Sequence, residues 1–531
     1  MKNAIILAAG KSSSFAPFTY ERPKGLFCVK GEILIERQIE QLHKAGIYEI
    51  YVVVGYMKEK FFYLEEKYGV VLLVNNQFSL KGNLYSLFVA RNYLQDTFIC
   101  CGDHYFLENP FLDKNEQNIS YRACMKLQGK FLEFGIEYSD ANVITDFSIG
   151  GCDGMAMVGH AYFNQRFSRI FCDKMEKEID DFGVKSMFWE EFYAKHQKSL
   201  TLYIKEYDAG MILEFDSIKD LRRFDSEFLL NVNSEIIGNI TKVLKCEPND
   251  IVDIQVIQAG LTNVSFSFDV HDTKYVYRHP GTSAGNMVDR KTELLAQKVA
   301  KDIGIDSSII YMDAAGWKIS YFIEDTVAID FQKDKDDLKR SMAYLRKLHK
   351  TSKSQEGKVF DDFAEGMKLM KIASCVKGDL IREFHDLIVK VQKLDSIVKE
   401  EDNEKVLCHN DVYEPNFLKK RSGELYLIDW EYAGWNDPAN DIACILCRTE
   451  CNEDMIREYF GLYYERTLTI QEYCHALAYV VLCGFYWFCW GLYKGSVGDD
   501  DGFFFLPAYR TCVKYADKAL EEYKKMEEEQ N

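Results

Sequence analysis

The sequence predicts an α/β protein of two domains, and three observations support this prediction. The first hundred residues alternate short apolar runs with helical patterns, which indicates βαβ units and a doubly wound sheet that is mixed but mostly parallel. Near residue 230 this alternation stops. Antiparallel strand patterns and then a mostly helical region follow, which predicts an α+β domain of two lobes. We therefore place the domains at residues 1–230 and 231–531.

In the first domain four strand patterns are separated by helical ones. The strands are NAIILAA, IYEIYVVVGY, GVVLLVNN and TFICCGDHYF, and the helices between them are ILIERQIEQLHKAG, EKFFYLEEKYG and NLYSLFVARNYL. Ligands of open parallel sheets bind beyond the carboxyl ends of the strands. Gly10 and Asp103 both follow such ends, so we expect one site to use both.

The second domain opens with QVIQAGLTNVSFSFDV and KYVYRHPG, which are typical of antiparallel strands joined by short turns. Its later helical region contains a run from His475 to Tyr493 without Asp, Glu, Lys or Arg. This run reaches the length of a membrane span. It contains a histidine, two glycines and many aromatic residues, and no Lys/Arg cluster flanks it. We predict a buried helix and no membrane insertion.

Charge and cysteine content narrow the class of protein. The formal net charge of −18 argues against nucleic acid or an anionic membrane as the main partner. The start MKNAIILAAG lacks the features of a signal peptide, so the 16 cysteines are expected to be reduced thiols of a cytoplasmic protein. Cys444, Cys447 and Cys451 lack a second ligand pair nearby and are interpreted as small core residues. We expect small-molecule partners, and the sequence leaves a homo-oligomer open.

The segment LAAGKSSSFAPFTYERPKGL places a glycine turn directly after a strand, where free backbone amides face phosphates. Lys24 is expected to neutralise the same phosphates. Asp103 and Asp216 come from distant segments, and two such carboxylates suit a Mg²⁺ ion on a triphosphate.

These features together resemble the nucleotidyltransferases with the pattern LAAG-x-G-x-R-x-x-P-x-T…PK, and among them the bacterial phosphocholine cytidylyltransferases. FTYERPKGL, Gly82–Leu87, GDHYF and EFDS…LRRFD carry the resemblance, which covers about residues 1–228. It implies that Lys24 acts on the phosphates and that Asp103 and Asp216 bind Mg²⁺. The residues it implies for CTP are Ala8, Ala9, Gly10, Lys11, Gly82 and Asn83.

The resemblance has one departure and one open point. Ser14 stands where the family has an arginine that contacts the triphosphate. Three consequences stay open: weaker CTP binding, compensation by Lys11, or a decayed activity. The family holds phosphocholine with aromatic rings and carboxylates, which suits a quaternary ammonium group. The residues implied here are Tyr85, Tyr121, Trp189 and Glu190, with core packing as the alternative.

The clearest motif of the chain is HNDVYEPNFL (His409–Leu418), followed by LIDWEYAG (Leu427–Gly434). Phosphoryl transfer needs a carboxylate beside the attacking hydroxyl and oxygen ligands for Mg²⁺. The H-x-D-x4-N spacing supplies both, with Asp411 accepting the proton and Asn416 holding the metal. Asp429, at the end of an apolar strand, is expected to bind the bridging Mg²⁺.

This pattern resembles the protein-kinase-like small-molecule kinases, particularly choline/ethanolamine kinases, over about residues 240–520. The resemblance implies a two-lobed kinase-like fold in which Arg278 reaches the nucleotide phosphates and Glu293 is its acidic partner. It also implies that Asp441 braces the catalytic loop. The nucleotide loop Gln258–Asn263 contributes Thr262 and Asn263. The cage for a trimethylammonium group is formed by Trp487, Trp490 and Tyr493, with Trp435 and Glu431 as weaker additions and core packing of the helix as the alternative.

Together, the two resemblances imply consecutive reactions. The C-terminal domain would phosphorylate choline with ATP, and the N-terminal domain would convert phosphocholine and CTP to CDP-choline and pyrophosphate. Three alternatives stay open: ethanolamine or another small amino alcohol as substrate, an aminoglycoside or amino sugar as substrate of the kinase-like domain, and an active kinase with a non-catalytic nucleotide-binding N-terminal domain.

Overall fold

A computed structural model describes residues 2–80, 82–112, 119–257, 264–281, 287–351, 356–401, 403–497 and 502–530. The chain forms two compact units. Unit 1 comprises residues 1–256 and 268–271, and unit 2 comprises residues 257–267 and 272–531. The domain boundary at residue 230 stays a prediction.

Nineteen strands and helices precede residue 250 in the described part of the chain. In order they are β1 (Asn3–Ala8), β2 (Cys28–Val29), β3 (Glu32–Ile33), α1 (Leu34–Lys44), β4 (Ile50–Val54), α2 (Tyr63–Tyr68), β5 (Val71–Val74), α3 (Leu84–Val89), β6 (Thr97–Cys101), β7 (Tyr105–Phe106), β8 (Tyr121–Tyr138), β9 (Ile144–Phe163), α4 (Gln165–Glu178), α5 (Trp189–Lys195), β10 (Tyr203–Tyr207), β11 (Ile212–Leu213), α6 (Ile218–Phe224), α7 (Phe228–Asn231) and α8 (Glu235–Leu244).

The centre of unit 1 is a seven-stranded sheet of order β10-β8-β9-β6-β1-β4-β5. β1 pairs in parallel with both β4 and β6, β4 pairs in parallel with β5, and β10 pairs in parallel with β8. β9 alone runs antiparallel to its neighbours β6 and β8. The predicted mixed, mostly parallel sheet is therefore confirmed.

Both faces of this sheet are buried. Along β1, Ile5 and Leu7 belong to the apolar cluster on one face, whereas Ala4 and Ile6 belong to the cluster on the other. Successive side chains of a strand point to opposite faces, so an unbroken apolar run marks a strand covered on both sides. This covering leaves the ends of the strands as the places where polar side chains gather.

Gly82 fixes one of the segments near these strand ends. Its φ is +73°, and a Cβ atom there would lie 2.2 Å from the carbonyl oxygen of Met187. The next residue, Asn83, accepts a hydrogen bond of 2.8 Å from the amide of Trp189 at the start of α5. The start of α3 is thereby held against the segment before α5.

The remaining elements build the other half of the chain. In order they are β12 (Val252–Ile257), β13 (Val264–Val270), β14 (Thr273–His279), α9 (Arg290–Asp302), β15 (Ile309–Met312), β16 (Lys318–Tyr321), β17 (Thr326–Val327), α10 (Lys335–Thr351), α11 (Asp362–Lys377), α12 (Leu380–Glu383), α13 (His385–Glu400), β18 (Val406–Cys408), β19 (Phe417–Lys420), β20 (Leu425–Leu427), β21 (Gly434–Asn436), α14 (Pro438–Cys447), α15 (Glu453–Tyr464), α16 (Ile470–Ser496) and α17 (Gly502–Gln530).

Strands β12 to β16 form a five-stranded sheet of order β12-β13-β14-β16-β15, in which β16 is antiparallel to both of its neighbours. Helices dominate after β17, interrupted by the pairs β18–β21 and β19–β20. This arrangement of a small β lobe and a helical lobe matches the predicted α+β class. Among the described residues one helix, α16, is long and apolar enough to cross a membrane, and 89% of its most apolar window is buried within the fold.

A buried charged cluster joins α16 to the start of α14. His475 on α16 hydrogen-bonds Glu401 through Nδ1, and its Nε2 lies 3.0 Å from Oδ2 of Asp437. Asp437 is the N-cap of α14 and accepts a hydrogen bond from the amide of Ala439. Burial alone would lower the pKa of His475, but the two carboxylates outweigh it and raise the pKa to about 9.

Replacing Gly82 with alanine should destabilise unit 1 by about 2 kcal/mol or more, because the left-handed backbone and the contact with Met187 both oppose a Cβ atom. Gly69→Ala is the matched control, since Gly69 has φ +68° and no atom within 4 Å of its Cβ position. Urea unfolding of both variants measures the difference. Equal losses in the two variants would contradict the packing role of Gly82.

The His475 cluster should make the stability of unit 2 fall at alkaline pH. The pKa of His475 is raised from 6.5 to about 9, so its contribution is complete below about pH 6.5 and disappears as the pH rises through 9. The shift corresponds to about 3 kcal/mol. The free energy of unfolding of the wild type and of His475→Gln should therefore converge between pH 7 and pH 10. A constant difference over that range would contradict the assignment.

Candidate active sites

The N-terminal site lies where β1 and β6 end. Lys24 is buried, and its Nζ lies 2.9 Å from Oδ2 of Asp103 just after β6. The same ammonium group donates a hydrogen bond of 2.6 Å to the carbonyl oxygen of Phe215. Since Asp216 follows Phe215 directly, Lys24 brings the two predicted carboxylates to one end of the sheet.

The charges of this site set the protonation of its carboxylates. Burial alone would raise the pKa of Asp103, but the ammonium group of Lys24 outweighs it and lowers the pKa to about 2. Burial and the carboxylate of Glu214 raise the pKa of Asp216. Asp103 is therefore ionised near neutral pH and, as a hard oxygen donor, suits a divalent cation.

The residues of the predicted phosphate loop lie directly after β1. Gly10, Lys11 and Ser14 are exposed just beyond the carboxyl end of β1, whereas Ala9 is buried and Ala8 is partly buried. Backbone amides at such a turn are available to phosphate oxygens. Gly82 and Asn83 belong to the segment held against α5.

Of the four residues implied for phosphocholine, two belong to the core. Tyr121 stacks on Tyr162 with ring centroids 5.8 Å apart, and Trp189 packs edge-on against Phe163 at 5.2 Å. Both are at most 3% exposed, which is the packing alternative.

The other two residues have polar or partly exposed surroundings. Glu190 is buried and lies 3.3 Å from the guanidinium of Arg122, which also donates hydrogen bonds to three carbonyl groups of β9. Burial raises the pKa of Glu190, and Arg122 opposes this shift. Tyr85 is partly buried and packs against Phe88.

In unit 2 the motif loop, residues 409–416, is anchored by Asp441. Its carboxylate accepts hydrogen bonds from the amides of His409 at 2.9 Å and Asn410 at 2.7 Å. Nε2 of His349 lies 3.0 Å from the same carboxylate, and Nδ1 of His349 lies 2.7 Å from the hydroxyl of Tyr463. A buried carboxylate with this many donors fixes the loop backbone.

The reactive groups of the loop are joined to one another. Asn416 donates hydrogen bonds from its amide nitrogen to the carbonyl oxygen of Asp411 at 2.8 Å and to its carboxylate at 3.1 Å. Because the amide nitrogen is engaged, the carboxamide oxygen of Asn416 is the atom left for a metal. Asn410 and Asp429 have φ values of +61° and +68°. Left-handed residues of this kind are concentrated at functional sites.

Arg278 on β14 links the two lobes of unit 2. Its guanidinium hydrogen-bonds Glu293 on α9, and its Nη1 lies 3.2 Å from Oδ1 of Asp429. Glu293 also pairs with Arg290 at 2.6 Å. The predicted pair of Arg278 and Glu293 is therefore in contact, and Arg278 also contacts Asp429, which is predicted separately as a metal ligand.

These groups line a cavity of about 550 Å³, which we call the C-terminal cavity. Its lining includes Asp411, Asn416 and Asp429. It also includes, from β16 and the residues that follow it, Ser320, Tyr321, Phe322, Ile323 and Thr326. The rings of Tyr432, Trp487 and Trp490 and the carboxylate of Glu431 line the same cavity. Nε1 of Trp490 donates a hydrogen bond of 3.0 Å to the hydroxyl of Tyr432, which fixes the two rings.

Some residues implied by the resemblance lie elsewhere. Tyr493 is partly buried on α16 and is absent from the described lining of the cavity. Trp435 is buried and donates a hydrogen bond to the carbonyl oxygen of Glu356. Thr262 and Asn263 lie outside the described residues. Cys444, Cys447 and Cys451 are all buried, in agreement with a core role.

The predicted site residues leave out two tyrosines and two cations that line the cavity. Tyr413 and Tyr432 lie inside the two motifs, so their position beside Asp411 and Glu431 was a usable signal. Lys318 pairs across β14–β16 with Arg278, and Arg448 follows α14. Neither cation belongs to a motif, and only the fold places them in the cavity.

Comparison with known proteins matches two different parts of the chain to two different families. The choline/ethanolamine kinase family matches residues 254–477, and the MobA-like NTP transferase domain family matches residues 4–126. A 2-aminoethylphosphonate cytidylyltransferase of Lancefieldella rimae is 34% identical over 235 residues, covering 44% of this chain and 95% of the relative. A choline-phosphate cytidylyltransferase of Streptococcus pneumoniae is 31% identical over 230 residues, covering 43% and 99%.

A crystal structure of the choline kinase LicA from Streptococcus pneumoniae is 22% identical and has a TM-score of 0.46, covering 53% of this chain and 98% of that protein. The two cytidylyltransferase relatives show that the chain belongs to the cytidylyltransferase family through its N-terminal region, and the family match over residues 254–477 shows a choline/ethanolamine kinase domain in its C-terminal region, so that both enzymatic domains are transferases.

Proposed function

We propose that this protein makes CDP-choline from choline in two steps. The C-terminal domain phosphorylates choline with ATP, and the N-terminal domain joins the phosphocholine to CTP with release of pyrophosphate. The observation that carries the proposal is the lining of the C-terminal cavity, which combines Asp411, Asn416 and Asp429 with Glu431 and the rings of Tyr432, Trp487 and Trp490.

For the first step, Asp411 accepts the proton of the substrate hydroxyl as the oxygen attacks the γ-phosphorus of ATP. Burial raises the pKa of Asp411, which suits a base, while Arg448 opposes this shift. Arg278 neutralises phosphate charge from the cavity wall. Asn416 and Asp429 would hold Mg²⁺, and this ion supplies charge neutralisation on the phosphates when it is bound.

The second step needs positioning and charge neutralisation rather than acid–base chemistry. The loop after β1 would hold the triphosphate, with Lys24 close to the α-phosphate. Asp103 and Asp216 would hold Mg²⁺. The low pKa of Asp103 supports this role, because the group is ionised at neutral pH.

Aromatic rings favour a quaternary ammonium group as the substrate cation, because their faces attract a cation that donates no hydrogen bond. Choline is therefore preferred over ethanolamine. These soluble-enzyme families and small-molecule substrates further support a cytoplasmic location, with a homo-oligomer left open.

A second candidate concerns the N-terminal domain alone. The relative of 34% identity acts, by its name, on 2-aminoethylphosphonate, a substrate that already carries phosphorus and needs no kinase. The fused kinase domain favours phosphocholine, since it would supply that substrate.

Phosphorus NMR of the purified protein with Mg²⁺, ATP and CTP distinguishes these candidates. Choline should yield CDP-choline and pyrophosphate, and ethanolamine run in parallel should yield less product. Turnover of 2-aminoethylphosphonate with CTP alone, and none of phosphocholine, would favour the second candidate. Phosphocholine accumulating without CDP-choline would leave a kinase with a non-catalytic N-terminal domain.

The two activities should separate by mutation. Asp411→Asn should lower phosphorylation of choline by about 10²–10⁴-fold, because the proton acceptor is lost. The same variant should still convert added phosphocholine and CTP to CDP-choline. Asp103→Asn should do the reverse, with a loss of about 10²–10³-fold in the second step and phosphocholine accumulating.

Asp140→Asn and Asp517→Asn are matched controls, since both carboxylates are exposed on the surface. They should retain both activities. If Asp411→Asn abolished the second step as well, or if Asp103→Asn left it intact, the assignment of the two sites would fail.

Restoring the family's arginine should strengthen nucleotide binding. Ser14 is exposed in the loop after β1, so Ser14→Arg has room to reach a triphosphate. One charge-assisted hydrogen bond contributes about 1.5–3 kcal/mol, so the KM for CTP should fall by at least about 10-fold. Steady-state pyrophosphate release measures it, with Ser13→Arg as the neighbouring control. An unchanged KM would show that Ser14 does not face the triphosphate.

A further inference from the structure

Arg448 occupies an unexpected place in the C-terminal cavity. It follows α14, and its Nη2 lies 2.5 Å from Oδ1 of Asp411. Its guanidinium carbon lies 3.7 Å from the centroid of the Trp487 ring and 4.3 Å from that of Tyr413. The side chain is only 10% exposed. A protein cation therefore sits between the proton acceptor and the aromatic rings.

A substrate cation needs a carboxylate and an aromatic face, and Asp411 and Trp487 supply them. A carboxylate attracts its charge, and an aromatic face attracts it through the ring quadrupole. The guanidinium of Arg448 uses both at once. Two cations at this spacing repel each other, so the substrate's ammonium group and the guanidinium cannot share the Trp487 face.

The hydrogen-bond donors of the Arg448 side chain are not all paired in its present position. Its Nη1 is buried and has no hydrogen-bond partner among the described residues, and the same is true of Nε1 of Trp487. A buried donor without an acceptor costs free energy, more so on a charged group. This cost lowers the barrier to displacing the guanidinium from the pocket.

We propose that Arg448 is a specificity-determining residue that holds the cation subsite on Asp411 and Trp487 until the ammonium group of the substrate displaces it. This inference rests on the proposed kinase function. The displacing cation must replace both contacts of the guanidinium. A quaternary ammonium group is weakly hydrated and binds the aromatic face well, with an electrostatic contact to Asp411. A primary amine can hydrogen-bond Asp411, but it costs more free energy to dehydrate.

The test compares Arg448→Met and Arg448→Lys with the wild type. Arg448→Met removes the competing cation, so the KM for choline at saturating ATP should fall by about 5- to 50-fold. The preference for choline over ethanolamine should narrow in the same variant. Arg448→Lys keeps a charge but loses the planar fork, so its KM should lie between the two. Arg382→Met is the control, because Arg382 is exposed on α12. This variant should leave the KM for choline and the preference for choline over ethanolamine unchanged.

The KM and kcat values of the variants distinguish displacement of Arg448 from other roles. If folded Arg448→Met keeps or raises the KM for choline, or loses more than about 100-fold in kcat at constant KM, the displacement role is wrong. If Arg448→Met does not fold, the KM of Arg448→Lys decides, and a wild-type value overturns the inference. If the wild type makes no phosphocholine, the kinase function itself fails. Turnover by the wild type with an unchanged KM in the variants overturns only the role of Arg448.

Discussion

The carboxylate of Asp441 is the fixed point on which the C-terminal cavity depends. It accepts two backbone amides of the motif loop and a contact from His349, and it is fully buried. A buried carboxylate is stable only when donors surround it, so the loop and the carboxylate hold each other in place. Asp411 and Asn416 then project from a backbone that cannot shift. The buried hydrogen bonds of Asp441 therefore fix the geometry of the loop that is proposed for phosphoryl transfer.

The two units reach similar chemistry by different means. In unit 1 the site uses the ends of parallel strands, where Lys24 joins Asp103 to the segment before Asp216. In unit 2 the site uses a loop held by buried hydrogen bonds. Both place a cation beside a carboxylate, Lys24 beside Asp103 and Arg278 beside Asp429. In the proposed function these carboxylates hold Mg²⁺ and these cations face phosphates.

The charged groups that line the C-terminal cavity are nearly balanced. Four carboxylates, Asp306, Asp411, Asp429 and Glu431, line it together with three cations, Arg278, Lys318 and Arg448. Burial and the neighbouring Arg278 lower the pKa of Lys318, which shows how closely the charges are packed. A positively charged substrate needs a carboxylate that is freed from its cation. A negatively charged nucleotide needs a cation that is freed from its carboxylate. The competition at Arg448 follows from this balance.

The parallel sheet of unit 1 and the motif loop of unit 2 could be predicted from the sequence. The apolar runs of β1, β4 and β6 predicted the parallel sheet, and the H-x-D-x4-N spacing predicted the place of Asp411 and Asn416, because both signals are local. Contacts between distant segments could not be predicted. Tyr121 and Trp189 have the composition of a cation site, yet they pack in the core. Arg448 lies 37 residues from Asp411 along the chain and meets it only through the fold.

The most direct measurement follows labelled choline through the purified protein with Mg²⁺. Label should appear in phosphocholine with ATP alone and in CDP-choline only when ATP and CTP are both present. Label that stays in phosphocholine when CTP is added, or that never leaves choline when ATP is added, would contradict the claim that one chain carries out both reactions.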